Sequence, residues 1–160
     1  MSSSHSIIIS KCDISVSQHA TESRDKIIEG IKVLLPQKYH KTLLKNIQTQ
    51  RLQGVNKNPI KLLIFNSINK KSNKMILEHI LKDITPKMSL ENLFERFEPN
   101  RGELHLRFNK HFLVKDKSFV QEDGSDVFKI IFRIRQDGSI PSSQLDKEIR
   151  IFLESILEND

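Results

Sequence analysis

Two stretches of the sequence alternate so regularly that they limit the fold before anything else does. From Glu103 to Lys115 the even positions read Leu104, Leu106, Phe108, Lys110, Phe112 and Val114, while the odd positions are mostly polar or basic. From Val127 to Arg135 the pattern repeats, with Phe128, Ile130, Phe132 and Ile134 set against Lys129, Ile131, Arg133 and Arg135. A period of two puts one face of each strand on a core and the other in water, which suits an antiparallel sheet rather than a parallel sheet buried on both sides. The run through Asp116, Glu122, Asp123 and Gly124 predicts a long loop joining the two strands as a hairpin.

The rest of the chain supplies the other layer. A first strand over 7–18 sets Ile8, Cys12, Ile14 and Val16 against Lys11, Asp13, Ser15 and Ser17. Thr21-Glu22-Ser23 offers a helix start, Ile27, Ile28, Ile31, Leu34 and Leu35 recur at helical spacing, and Pro36 stops them. A basic connection over 37–46 leads to a weak strand over 47–53. Gly54 with Asn58-Pro59 then reads as a turn before a buried strand over 60–67. Asn69 caps a helix carrying Ile76, Leu77, Ile80, Leu81 and Ile84, which Pro86 closes. Ser89 opens a short helix whose stripe is Leu90, Leu93, Phe94 and Phe97. After Asp137-Gly138 and Pro141, a last helix shows Leu145, Ile149, Phe152 and Ile156 on one face. Strands and helices in this order predict an α+β fold, an antiparallel sheet with helices packed mainly on one face. The expected organisation is one α+β domain over 1–138, with an acidic helix over 139–160 packed on it.

Charge narrows the function. The chain carries 26 Lys and Arg against 20 acids, a net of +6 with a pI near 9.5. Residues 1–115 hold 20 basic and 10 acidic side chains, whereas 116–160 hold 6 and 10. Between Glu29 and Glu78 there is no acid at all, yet ten cationic side chains run from Lys32 to Lys74. Folded into a surface, that segment concentrates polyanions and favours salt-dependent binding through counterion release. The competing reading is that lysine merely solvates the surface.

No motif of an enzyme is present: there is no phosphate-binding glycine loop, no nucleophile elbow and no His-x-x-x-His pair. Asp123, Asp126 and Glu103 lack the spacing of a carboxylate site. On a straight strand His105 and His111 stand roughly 20 Å apart at ~3.3 Å per residue and do not share a zinc. The expectation is a non-enzyme with no cofactor and no metal. No apolar run reaches the ~20 residues of a bilayer span, the first residues lack the basic start of a secretory signal, and Cys12 is the single cysteine. A cytoplasmic protein without a membrane partner is expected.

Arg107, Lys129, Arg133 and Arg135 fall on the polar faces of the two alternating runs, suited to phosphate contacts or simply to wetting a half-exposed sheet. With no Trp, one Tyr and most Phe on apolar stripes, backbone and shape recognition fit better than base stacking.

Ser17-Gln18-His19-Ala20-Thr21-Glu22-Ser23, then Ile27, Ile31 and Leu34-Leu35-Pro36, then Gly54 with Asn58-Pro59-Ile60, then Glu103-Leu104-His105-Leu106-Arg107-Phe108-Asn109-Lys110 together resemble an archaeal RNA-binding protein family described as a predicted exosome subunit. The resemblance covers about residues 7–135. It implies a fold like that of the large-subunit ribosomal protein that binds 5S rRNA. Lys57 stands where that family commonly has a glycine, so the turn there departs from its pattern. The Leu-x-Leu-Arg-x-x-Lys pattern is met by Leu104, Leu106, Arg107 and Lys110, and on that match Arg107 and Lys110 are candidate RNA contacts.

The combined expectation is a protein that holds structured RNA by phosphate and shape contacts, in RNA processing or beside an exosome-like complex. Its candidate contacts are Arg51, Lys57, Lys61, Arg107, Lys110, Lys129, Arg133 and Arg135. The alternative is a protein-interaction or scaffolding module, alone or as a homodimer, whose basic surface is only solvation.

Overall fold

A computed structural model describes residues 7–53, 59–84, 89–136 and 142–158, the side chains of 136, 142–146, 157 and 158 excepted. Lys57, the turn at Gly54 and Asn58, Pro86, Asp137-Gly138, Pro141 and the Leu145 side chain lie outside these described residues. Six strands form one antiparallel sheet in the order β2-β3-β1-β6-β5-β4. They are β1 (Ile7–His19), β2 (Gln48–Gln53), β3 (Pro59–Ser67), β4 (Phe97–Glu98), β5 (Glu103–Asn109) and β6 (Val127–Gln136). The helices are α1 (Arg24–Leu34), α2 (His40–Asn46), α3 (Lys70–Ile84), α4 (Leu90–Phe94), α5 (Lys110–Asp116) and α6 (Ser142–Glu158). The α+β class with an antiparallel sheet is as the alternation requires.

The chain divides into two compact units, one of residues 1–12, 67–105 and 131–160, the other of 13–66 and 106–130. In the first unit, α6 packs on α3 and α4. Ile76, Leu77, Ile80 and Leu81 of α3, with Ile149, Phe152 and Leu153 of α6, build its core. The Asn73 side-chain amide is sealed inside and donates to the Ile9 carbonyl at 3.0 Å, which satisfies a buried backbone acceptor. At the rim Arg150 bonds Glu91 at 2.6 Å and lies 4.2 Å from the centroid of the Phe94 ring.

In the second unit, α1 and α5 pack together. Ser23 caps α1 by accepting from the Lys26 amide, and Leu35 ends it before Pro36. Ile27, Ile28, Ile31 and Leu34 are its buried stripe. Gly30 on the same helix is required by packing, because a Cβ there would run into the Phe128 ring. The basic connection becomes a short 3-10 turn, Gln37–Tyr39, and α2, of which Leu43 is buried.

Four sequence expectations are corrected. The alternation from Glu103 does not run to Lys115 as one strand: β5 stops at Asn109, whose side-chain oxygen accepts the Phe112 amide at 2.9 Å and caps α5. Lys110 and Leu113, a helical spacing of three, are the buried members of α5, and Phe112 is exposed. The distance argument for His105 and His111 on a straight strand falls with it. β1 has inward residues Ile7 and Ile9, then Cys12, Ile14 and Val16, so the phase steps by one between Ile9 and Cys12, the offset an extra residue produces in a strand. Ile8 is therefore not on the face of Cys12. β3 is half-buried rather than buried, with only Leu63 and Phe65 inside. The short helix also ends early: Phe97 sits in β4, paired with Leu104.

Candidate nucleic-acid interface

The acid-free segment forms an exposed ribbon in the second unit. β2 and β3 pair antiparallel from Gln48↔Ile64 to Gln53↔Pro59, and Arg51 stands directly opposite Lys61. Every residue of β2 is exposed, so this edge strand buries nothing on either side. Alternation puts Lys61 and Arg51 on the side of buried Leu63 and Phe65, where Arg24 of α1 donates to Thr49 at 3.0 Å. Leu62, the chain neighbour of Lys61, faces the other way. Like charges directly opposite each other on a ladder are destabilising. Among the described residues no carboxylate pairs with either cation.

On the wet side of the sheet in the same unit lies a cleft of about 430 Å³, lined by Ser15, Val16, Ser17, Leu62, Arg107, Gly124, Ser125, Val127 and Lys129. Arg107 comes from β5, Lys129 from β6 and the two serines from the odd positions of β1. Two of the predicted cations are thus brought together, with no acid among the described residues of the lining. The Arg107 Nε is buried and has no hydrogen-bond partner. Ser15, Ser17 and Ser125 are not among the site residues that the sequence suggests. Ser15 and Ser17 are legible as the polar side of the first strand, but that β1 lies next to β6 is not.

Lys110 sits elsewhere, 8% exposed at the start of α5. Its Nζ donates to the Ser17 carbonyl at 2.6 Å and to Glu22 Oε1 at 3.1 Å, and it pairs closely with Asp126. His19 Nε2 meets the same Asp126 oxygen at 3.1 Å. Burial works to raise the Asp126 pKa, but hydrogen bonding to and charge from Lys110, then from His19, hold it below the usual aspartate value. His19, Glu22 and Asp126 come close enough to hold a metal ion, but the Lys110 ammonium already supplies the cation that these carboxylates face. An ammonium so engaged has no donor to spare for a phosphate, so Lys110 builds the site rather than contacting RNA.

The remaining candidates belong to the first unit. Arg133 and Arg135 are exposed on β6. Arg133 bonds Glu103 at 3.2 Å, and His105 meets the other oxygen of Glu103 at 3.1 Å. Burial pushes the Glu103 pKa up, and hydrogen bonds from Arg133 and His105 with their charge bring it below the ordinary value. Glu98 adjoins Glu103 and His105, a group with metal-ligand geometry whose central carboxylate is already paired with Arg133.

A family model described as RNA binding matches residues 11–135. Among solved structures, a DUF54 protein from Methanothermobacter thermautotrophicus is similar at a TM-score of 0.71 with 17% identity, over 94% of this chain and 99% of that one, and shows the fold alone. A DUF54 protein from Sulfolobus solfataricus is 27% identical with a TM-score of 0.63, over 91% of this chain and 98% of that one. No curated protein matches the chain. No helix among the described residues is long and apolar enough to cross a membrane.

Proposed function

Since the chain belongs to the RNA-binding family, whose model matches residues 11–135, we propose that it is a non-enzymatic protein holding structured RNA through phosphate and shape contacts. The observation that carries this reading is the Arg51–Lys61 pair. Two cations face one another on a ribbon exposed along all of β2, within the segment between Glu29 and Glu78 that holds no acid. A polyanion turns that repulsion into attraction, since each backbone phosphate neutralised releases its counterions. An exposed ribbon presents its cations to the RNA backbone, where phosphate contacts fix register rather than read sequence.

No cofactor enters this reading. The resemblance of the sequence motifs adds a role in cytoplasmic RNA processing beside an exosome-like complex, on a framework of the 5S rRNA-binding ribosomal-protein kind. The test is a titration of the purified chain against a structured RNA, a single-stranded RNA and a DNA duplex at several salt concentrations. The reading expects salt-steep binding that prefers structured RNA. Equal, weak binding to all three would overturn it and turn the search to a protein partner.

A further inference from the structure

We infer that the cleft between Arg107 and Lys129 is a subsite for one RNA phosphate together with its unpaired nucleotide, the place where a bulged or looped-out residue of a structured RNA is held. The inference rests on the RNA-binding reading and adds which part of the RNA is taken.

The chemistry of the lining selects the ligand. Arg107 Nε is a buried donor with no acceptor. Leaving such a donor unpaired forfeits the hydrogen bond it would make in water. A phosphate oxygen is the acceptor a guanidinium takes best, because its planar fork matches two oxygens at once. Lys129 brings a second positive charge to the same cleft, and Ser15 and Ser125 bring hydroxyls that donate to anionic oxygens. Among the described residues no carboxylate is in the lining to repel an anion. Two carboxylates adjoin the lining along the chain, Asp123 beside Gly124 and Asp126 beside Ser125; Asp126 is held by Lys110 and His19, and it also accepts from the Ser17 hydroxyl at 3.2 Å. Lys110 therefore offsets a negative charge at the edge of the site while its bond to the Ser17 carbonyl fixes the wall.

The shape selects further. About 430 Å³ lies within the roughly 300–1,000 Å³ of ligand sites and exceeds what a lone phosphate fills. Leu62 supplies an apolar wall suited to a ribose or base beside the cationic end. In an A-form helix each base is locked in the stack, so only an unpaired nucleotide brings base and phosphate into one cleft. Leu62 is also the chain neighbour of Lys61, so the cleft lies against β3 on the face opposite the Arg51–Lys61 pair.

The test compares two RNA hairpins of equal length, fully paired or with one single-nucleotide bulge, each with a 5′-hydroxyl or a 5′-monophosphate. The wild-type chain should bind the bulged hairpin about tenfold tighter than the paired one, as one well-placed set of charged hydrogen bonds allows, whichever group ends the strand. Arg107→Gln and, separately, Lys129→Gln should abolish that preference, with an unchanged thermal melting midpoint in each variant showing that the fold is intact. In the wild type, the backbone amides of Gly124 and Ser125 should shift on titration with the bulged hairpin and not with the paired one. Equal wild-type affinity for both hairpins, or a bulge preference surviving in both variants, would overturn the subsite. A preference that follows the 5′-monophosphate instead would also overturn it, by assigning the cleft to a chain end. Loss of all RNA binding by the wild type would be a failure of the RNA-binding reading itself, a separate outcome.

Discussion

The Lys110 ammonium lies 2.6 Å from the carbonyl oxygen of Ser17, joining the first turn of α5 to the end of β1 across 93 residues of sequence. Glu22 and Asp126 complete its surroundings, so a cation that reads in sequence as a surface charge is an interior fastening. Replacing it leaves two carboxylates facing one another. Lys110→Ala should lower stability by about 2–3 kcal/mol, less than for a fully buried pair because Asp126 remains wet. Urea unfolding measures this loss, and RNA affinity measured well below the shifted midpoint should change by less than about threefold, as for a residue that makes no phosphate contact.

Acid should weaken the fold through the same cluster. Burial raises, and Lys110 and His19 more than offset, the proton affinity of Asp126, and Glu103 is likewise depressed by Arg133 and His105 against its burial. A carboxyl whose folded pKa lies below its unfolded one stabilises in full above the unfolded value, about 4, and loses that contribution as pH falls through the folded value. Urea midpoints should hold steady from neutral pH to about 5 and decline below about 4. Asp126→Asn should be less stable at neutral pH and show a shallower decline; an unchanged acid limb in that variant and in Glu103→Gln would contradict the assignment.

Packing of α1 on β6 depends on a missing side chain. A Cβ at Gly30 would meet the Phe128 ring, which is fully buried. Gly30→Ala should cost about 1–3 kcal/mol despite the better helix propensity of alanine. Adding Phe128→Leu should restore part of the loss, so that the double variant is more stable than the sum of the single effects predicts. Thermal melts of the four proteins decide it.

The parts of the fold that are legible in sequence are those whose signals are local. The helical stripe of α1, its Ser23 cap and its Pro36 stop are written within a dozen or so residues, and the structure forms them there. The alternation of Phe128, Ile130, Phe132 and Ile134 likewise survives intact in β6, with all four buried. The run after Asn109 misleads because Phe112 and Val114 continue a period of two by chance. The stronger local instruction is the Asn109 cap, which turns the backbone into α5 and buries Leu113 instead. Lys110 is beyond sequence reasoning because its partners lie 88 and 16 positions away, at Glu22 and Asp126. The cleft requires knowing that β1 lies beside β6, a non-local pairing that no local pattern encodes.

On the proposed reading, the exposed β2–β3 ribbon grips RNA phosphates with Arg51 and Lys61. Its most direct test is the salt dependence of structured-RNA binding by the wild type and by the Arg51→Gln, Lys61→Gln double variant. Removing two phosphate contacts should lower the slope of log affinity against log salt by about 2, with weaker binding at low salt. Thermal stability should stay equal or rise slightly, because two opposed cations are gone. An unchanged slope in a folded variant would contradict the account.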